Sequence, residues 1–202
     1  MWGKKFHRAD MGRAYEPMVL GVTACCPGCG ATHFAIALGN YYSGFYQKRT
    51  AVLEWNQSGD LERMQRSLGI KGEKDFFVYR GIYFYKGVLP ETFLQIQDQG
   101  YECMVLDFGR DRKQNYREWS RCQRLVSMVS LTAWERSSFL ELLNNEEERL
   151  LRTTTYLYVF GEAKARGLSL PRGLSLHRLP FFVSPFLLEG ESFAFFNRSF
   201  AL

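Results

Sequence analysis

The sequence predicts an α/β fold: a doubly wound, mostly parallel sheet with helices on both faces. Short apolar, β-branched runs alternate along the chain with segments of helical spacing, and the first such run passes through a glycine-rich turn into a helix. The 202 residues are 46% hydrophobic and 16% aromatic, enough apolar surface to offset the ordering entropy of one folded domain. No linker or long internal repeat interrupts the pattern.

Residues 1–17 are polar and carry Gly3, Gly12 and Pro17, which reads as a loose arm ahead of a domain over 18–202. Met18 to Ala24 (MVLGVTA) suits a buried strand, and Ala31 to Tyr46 places Phe34, Leu38, Tyr41, Tyr42 and Phe45 at helical spacing. Thr50 to Trp55 reads as the second strand. A helix over Leu61 to Leu68 follows, with Leu61, Met64 and Leu68 three and four apart. Phe76 to Lys86 is β-branched and aromatic, with Gly81 marking a bend or a turn. Pro90 opens a helix to about Gln99, and Tyr101 to Leu106 forms a strand ending on Asp107, Phe108 and Gly109. Beyond these, the spacing predicts a strand over Leu125 to Leu131 and one long helix over Trp134 to Leu151. Strands follow over Thr155 to Phe160 and Leu176 to Phe182.

Composition narrows the function classes. The net charge of +5 comes from 26 Lys and Arg mixed among 21 acids, the pattern of a solvated surface. With no basic block and no aromatic RNA-binding signature, nucleic acid is not an expected partner. No run approaches the about 20 apolar residues of a membrane span, and the start, MWGKKFHRADMGR, lacks a signal peptide's apolar stretch. A cytoplasmic location is the expectation. Five cysteines make an odd count without a disulfide framework, which fits a reducing compartment. Three of them crowd at Cys25, Cys26 and Cys29, but zinc needs a fourth ligand, and neither Cys103 nor Cys122 has a partner nearby in sequence.

Parallel sheets bind ligands at the carboxyl ends of their strands, so the first strand-to-helix turn, ACCPGCGATHF, is the place to look. Glycines there let backbone N–H groups approach an anion closely, and the helix dipole adds favourable field. Pro27, Gly28, Cys29, Gly30, Ala31, Thr32 and His33 are the candidate phosphate-binding residues. Two glycines and a threonine alone are weak evidence, since loops use glycine for geometry as often as for ligands.

Cys26-Pro27-Gly28-Cys29-Gly30-Ala31-Thr32-His33 resembles the deviant P-loop of the MinD/ParA-type ATPases, Lys-Gly-Gly-x-Gly-Lys-Thr-Thr, keeping Gly28, Gly30 and Thr32. Val52 to Leu61 is similar to the family's Asp-x-Asp-Pro-Gln-Gly-x-Leu segment, with Glu54 and Asn56 at the acidic positions and Gly59 at the glycine. Gly100 to Gly109 resembles the Walker B strand, with Asp107 as its acid, and Pro180 stands where the family has a base-flanking loop. The resemblance implies a P-loop NTPase-like fold over roughly residues 18–190, and a site for ATP or ADP at the turn together with Glu54 and Asn56. Thr32 and Asp107 would then hold Mg²⁺.

The departures carry as much information. Both family lysines are gone, replaced by Cys26 and Ala31, and such charge-stabilising groups are worth about 10³–10⁵ in rate. Asn56 also replaces a carboxylate. The resemblance therefore implies a degenerate, pseudo-ATPase member whose turn either binds nucleotide weakly or is empty and serves packing. Among relatives it is similar to the TadZ/CpaE-like pilus-assembly proteins. That implies a scaffold for a bacterial pilus or secretion assembly, with protein partners and a homodimer as expectations. Residual ATPase activity is one alternative. Another is thiol–disulfide oxidoreductase chemistry by Cys26 and Cys29, a C-x-x-C pair at a helix start where the dipole favours thiolate; no later proline gives the cis-proline loop of thioredoxin-like proteins. The aromatic tail, from Phe181 to Phe200, reads as core closure by default and as a partner or peripheral membrane patch by resemblance.

Overall fold

A computed structural model describes residues 16–110, 116–163 and 169–202, so the expected arm lies almost wholly outside the described residues. Among the described residues, fifteen elements follow in chain order. They are β1 (Met18–Ala24), α1 (Ala31–Gly44), β2 (Thr50–Glu54), α2 (Asp60–Ser67), β3 (Phe76–Tyr79), β4 (Ile82–Tyr85), α3 (Pro90–Gln97) and β5 (Cys103–Gly109). After these come α4 (Tyr116–Trp119), β6 (Arg124–Leu131), α5 (Arg136–Asn145), α6 (Glu148–Thr153), β7 (Thr154–Gly161), β8 (Ser175–Arg178) and α7 (Gly190–Phe200).

One eight-stranded sheet runs in the order β3-β4-β2-β5-β1-β6-β7-β8. Every neighbouring pair is parallel except β3 with β4. The expected doubly wound architecture is therefore present. The Phe76 to Lys86 segment is its antiparallel exception, a hairpin in which Arg80 and Gly81 both take positive φ, 50° and 79°. Two left-handed residues match the twist of the flanking strands, which is why the chain reverses there.

Strand alternation sends side chains to two faces. Leu20, Val22, Val52, Val105, Val126 and Met128 pack under α1 and α7. Val19, Leu53, Met104, Leu106 and Leu125 pack with Phe93, Ile96 and Trp119 of α3 and α4 on the other. α5 closes that second face over β6 and β7 through Phe139, Leu142 and Leu143. Gly39 lets α1 settle on β2, since a Cβ there would lie 2.5 Å from Val52 Cγ2.

Three sequence expectations are corrected. The long helix over Trp134 to Leu151 is two helices, because Glu146 and Glu147 adopt extended backbone between α5 and α6. Beyond the break, Leu150 and Leu151 pack into different apolar clusters. The strand over Leu176 to Phe182 is shorter, ending at Arg178 before Pro180, which has no N–H for the ladder. The aromatic tail contains a helix that the sequence reading did not predict, α7. Its Phe195, Phe196 and Phe200 are buried, Phe196 and Phe200 against Phe34 and Phe196 also against Tyr41 of α1, and Tyr42 donates a 2.8 Å hydrogen bond to the Phe200 carbonyl. Each such ring contributes about 1.5–3 kcal/mol on burial, so core closure accounts for most of the tail. Phe181 stays exposed.

Candidate functional site

The turn between β1 and α1 opens onto a cavity of about 800 Å³. Its wall includes Cys26, Pro27, Gly28, Cys29, Gly30, Ala31, Thr32, His33 and Asn56, so eight of the nine sequence-predicted nucleotide-binding residues line one space; Cys26 joins them. Gly28 and Gly30 hold φ of 73° and 90°, backbone that L side chains rarely adopt, and a Cβ built on either meets nothing within 4 Å. The cradle surface is thus open. Gly30 is the N-cap of α1 with no side-chain cap, and the first N–H groups of a helix have no carbonyl upstream to bond. Such donors suit a phosphate.

Register brings the second half of the site. Parallel pairing sets Val22 and Glu54 on either side of Asp107, at the carboxyl edge of the sheet beneath α1. Thr32 Oγ1, in the first turn of α1, donates to Asp107 Oδ2 at 2.7 Å and lies 3.3 Å from Asp60 Oδ2. The Gly109 N–H donates to Asp107 Oδ1 at 3.1 Å. Asp107 is buried, and desolvation lifts its pKa to about 6 against the opposing bonds from Thr32 and Gly109; Glu54 and Asp60 push it further up.

Glu54, the ninth candidate, does not line the cavity. Its carboxylate accepts from Ser58 Oγ and from the N–H groups of Leu61 and Gly87, which ties the start of α2 and the loop after β4 to the end of β2. That work is structural. Asn56 does line the cavity, but its amide is occupied too: Nδ2 donates to the Asp107 carbonyl at 2.8 Å and Oδ1 accepts from the Ser58 N–H at 2.9 Å. His33 packs against the Phe182 ring, tilted by 35° with centroids 5.0 Å apart, which sets the loop after β8 and Pro180 against this wall. Burial holds its pKa below the ordinary value, against a backbone bond at Phe182 that raises it, so the ring is neutral near pH 7.

Sequence reasoning missed two charged wall residues, Asp60 and Arg110. Asp60 lies within the quoted Val52 to Leu61 segment, and it is paired with Arg63. Arg110 directly follows Gly109, and it is the one permanent cation among the wall residues described. No motif pointed to it, because its place depends on β5 ending beside β1.

Cys26 and Cys29 are joined in a disulfide with Cα atoms 5.9 Å apart, and Cys25 Sγ lies 4.0 Å from Cys29 Sγ. This corrects the expectation of a chain without disulfide pairing: the turn at the start of α1 folds a spacing of three into bonding reach. The three sulfurs lie within 4.8 Å of one another, and no fourth ligand joins them among the described residues.

The residues present fit a phosphate group and a Mg²⁺ beside it: an open glycine cradle, a helix start, Arg110, and the Thr32–Asp107 pair. Ala31 adds no charge to the cradle, and Asn56 carries a neutral amide.

No family model matches the sequence, and no curated protein does. Solved structures do match. The chain is similar to MinD in the MinC:MinD cell division complex of Aquifex aeolicus, with TM-score 0.56 and 13% identity over 80% of this chain and 79% of that one. It is also similar to a ParA family ATPase from Chlorobium tepidum, with TM-score 0.55 and 13% identity over 83% and 85%. A third is a plasmid partition protein from Borrelia burgdorferi bound to AMPPNP, with TM-score 0.53 and 14% identity over 75% and 77%. At such identities the likeness is one of fold, and the fold of this chain is that of the MinD/ParA-type P-loop ATPases.

Proposed function

We propose that this chain is a degenerate MinD/ParA-like P-loop protein that binds ATP or ADP weakly, together with Mg²⁺, and turns it over little or not at all. It acts by binding and positioning, as a localisation or assembly scaffold within a bacterial pilus or secretion machine of the TadZ/CpaE-like kind. The observation that carries the reading is the Thr32–Asp107 hydrogen bond beneath an open glycine cradle in which Ala31 stands where a lysine is needed. Support for a nucleotide comes from the AMPPNP bound by the plasmid partition protein of like fold, and support for protein partners from the MinC:MinD complex.

Magnesium is integral to the reading. Asp60 shares the wall with Arg110, the single cation among the wall residues described, and the carboxyl groups of Asp107 and Glu54 lie close enough behind it to raise the local negative charge. A divalent ion on Thr32 and Asp107 would reverse that local balance. Thermal melting with and without Mg-ADP and Mg-ATP, beside steady-state phosphate release, tests the proposal. A ligand-dependent rise in Tm with negligible turnover is the expected pair of results. Turnover comparable to an active MinD/ParA ATPase would overturn the scaffold reading, and no shift with either nucleotide would overturn the binding reading. Arg110→Ser separates the binding site from bulk effects, since it removes an exposed side chain and is expected to weaken binding about tenfold without lowering the Tm of the ligand-free protein.

A further inference from the structure

Cys25, Cys26 and Cys29 crowd one turn, and Cys26 and Cys29 stand in the wall of the cavity that would hold a phosphate. We propose that Cys26 and Cys29 form a redox-controlled clasp on the phosphate loop, and that closing the clasp strengthens binding of a phosphate anion. The inference rests on the anion-binding reading above.

Two independent physical effects have the same sign. The disulfide closes a ring across Pro27 and Gly28, and Gly28 is one of the two cradle glycines whose backbone has the widest choice of conformations. Fixing that ring removes loop entropy that an anion would otherwise have to remove on binding, which is preorganisation. The second effect is charge. Cys29 immediately precedes Gly30, the N-cap of the 14-residue α1, and a helix N-terminus stabilises thiolate over thiol. A reduced Cys29 therefore places negative charge beside the N–H donors that a phosphate needs, whereas a disulfide is neutral.

Access favours exchange at one sulfur. Cys26 is buried, while Cys29 and Cys25 are partly exposed. A dithiol of the thioredoxin or dithiothreitol class attacks Cys29 Sγ as a thiolate, forming a mixed disulfide and expelling Cys26 as thiolate. The second thiol of the reductant then attacks its own sulfur in the mixed disulfide and releases Cys29. Two electrons and two protons pass from the dithiol to the clasp, and the dithiol leaves as a disulfide; a small-molecule disulfide reverses the step. Cys25, 4.0 Å from Cys29 in sulfur-to-sulfur distance, offers an internal exchange partner.

The whole chain is equilibrated in mixtures of reduced and oxidised dithiothreitol, in buffer stripped of transition metals and supplemented with MgCl2. Alkylation and intact mass read the number of thiols, and calorimetry with inorganic pyrophosphate reads the affinity. Two thiols are expected to appear on reduction, and the oxidised protein is expected to bind pyrophosphate about tenfold more tightly. Cys29→Ser and, as a second variant, Cys26→Ala should bind with one affinity whatever the redox mixture, while Cys25→Ser keeps the dependence. Equal affinity in two forms that differ by two thiols overturns the clasp and leaves the anion site standing. An unchanged thiol count across the mixtures overturns it as well. Failure of both forms to bind, with the disulfide confirmed by mass, places the fault in the anion-binding reading and withdraws the clasp with it.

Discussion

Thr32 Oγ1 donates a 2.7 Å hydrogen bond to Asp107 Oδ2, joining the first turn of α1 to the end of a strand 75 residues later. The pair holds the cradle to the sheet, and it does so with a carboxyl group that burial pushes up to about 6. Several measurable consequences follow from that combination and from the residues around it.

The first concerns pH. Because the folded-state pKa of Asp107 lies above its ordinary 3.8, its favourable contribution to folding is fully present below about pH 4 and is lost as pH rises through about 6. Asp107→Asn keeps an acceptor for Thr32 and cannot ionise. In EDTA its gain over the parent protein is expected to reach roughly 2–3 kcal/mol above pH 7 and to vanish near pH 4, read by denaturant unfolding across that range.

His33 has the opposite sign. Its pKa is held below 6.5 by burial, so the folded protein resists protonation and stability falls as pH drops below about 6.5. His33→Phe retains a ring against Phe182 and removes the titration. The variant's Tm relative to the parent is expected to rise steadily as pH falls from 7 to 5; a constant difference would show that the ring titrates unperturbed.

Gly30 is held at φ 90° with open space where a Cβ would go. Gly30→Ala therefore incurs a backbone cost without a clash, about 1–2 kcal/mol in urea unfolding. The strained residue also narrows the anion cradle, so pyrophosphate affinity is expected to fall alongside stability.

Ala31→Lys places a lysine at a cavity-wall position in the first turn of α1. Nucleotide affinity is expected to rise about tenfold in calorimetry, from one added charge-assisted contact. Phosphate release should stay low, because Asn56 still presents an amide committed to the Asp107 carbonyl and the Ser58 N–H. A jump to full ATPase turnover would show that the Asn56 amide does not limit hydrolysis.

Much of this molecule was legible in its sequence. The alternation of apolar runs and helical spacing, read with the turn ACCPGCGATHF, is enough for a doubly wound sheet and for the location of the cradle, because period and glycine placement are local properties of the chain. That Cys26 and Ala31 stand where the resembled P-loop pattern has lysines is a matter of residue identity and needs no coordinates. Only the tertiary structure could decide which acids and cations meet there. Glu54 turns away to tie down α2 and the loop after β4, while Arg110 and Asp60 enter the wall, because strand register and helix docking set those positions over separations that no local pattern encodes. The same holds for Phe195, Phe196 and Phe200. An aromatic run states that surface must be buried, and the partner that buries it, α1, is chosen by packing.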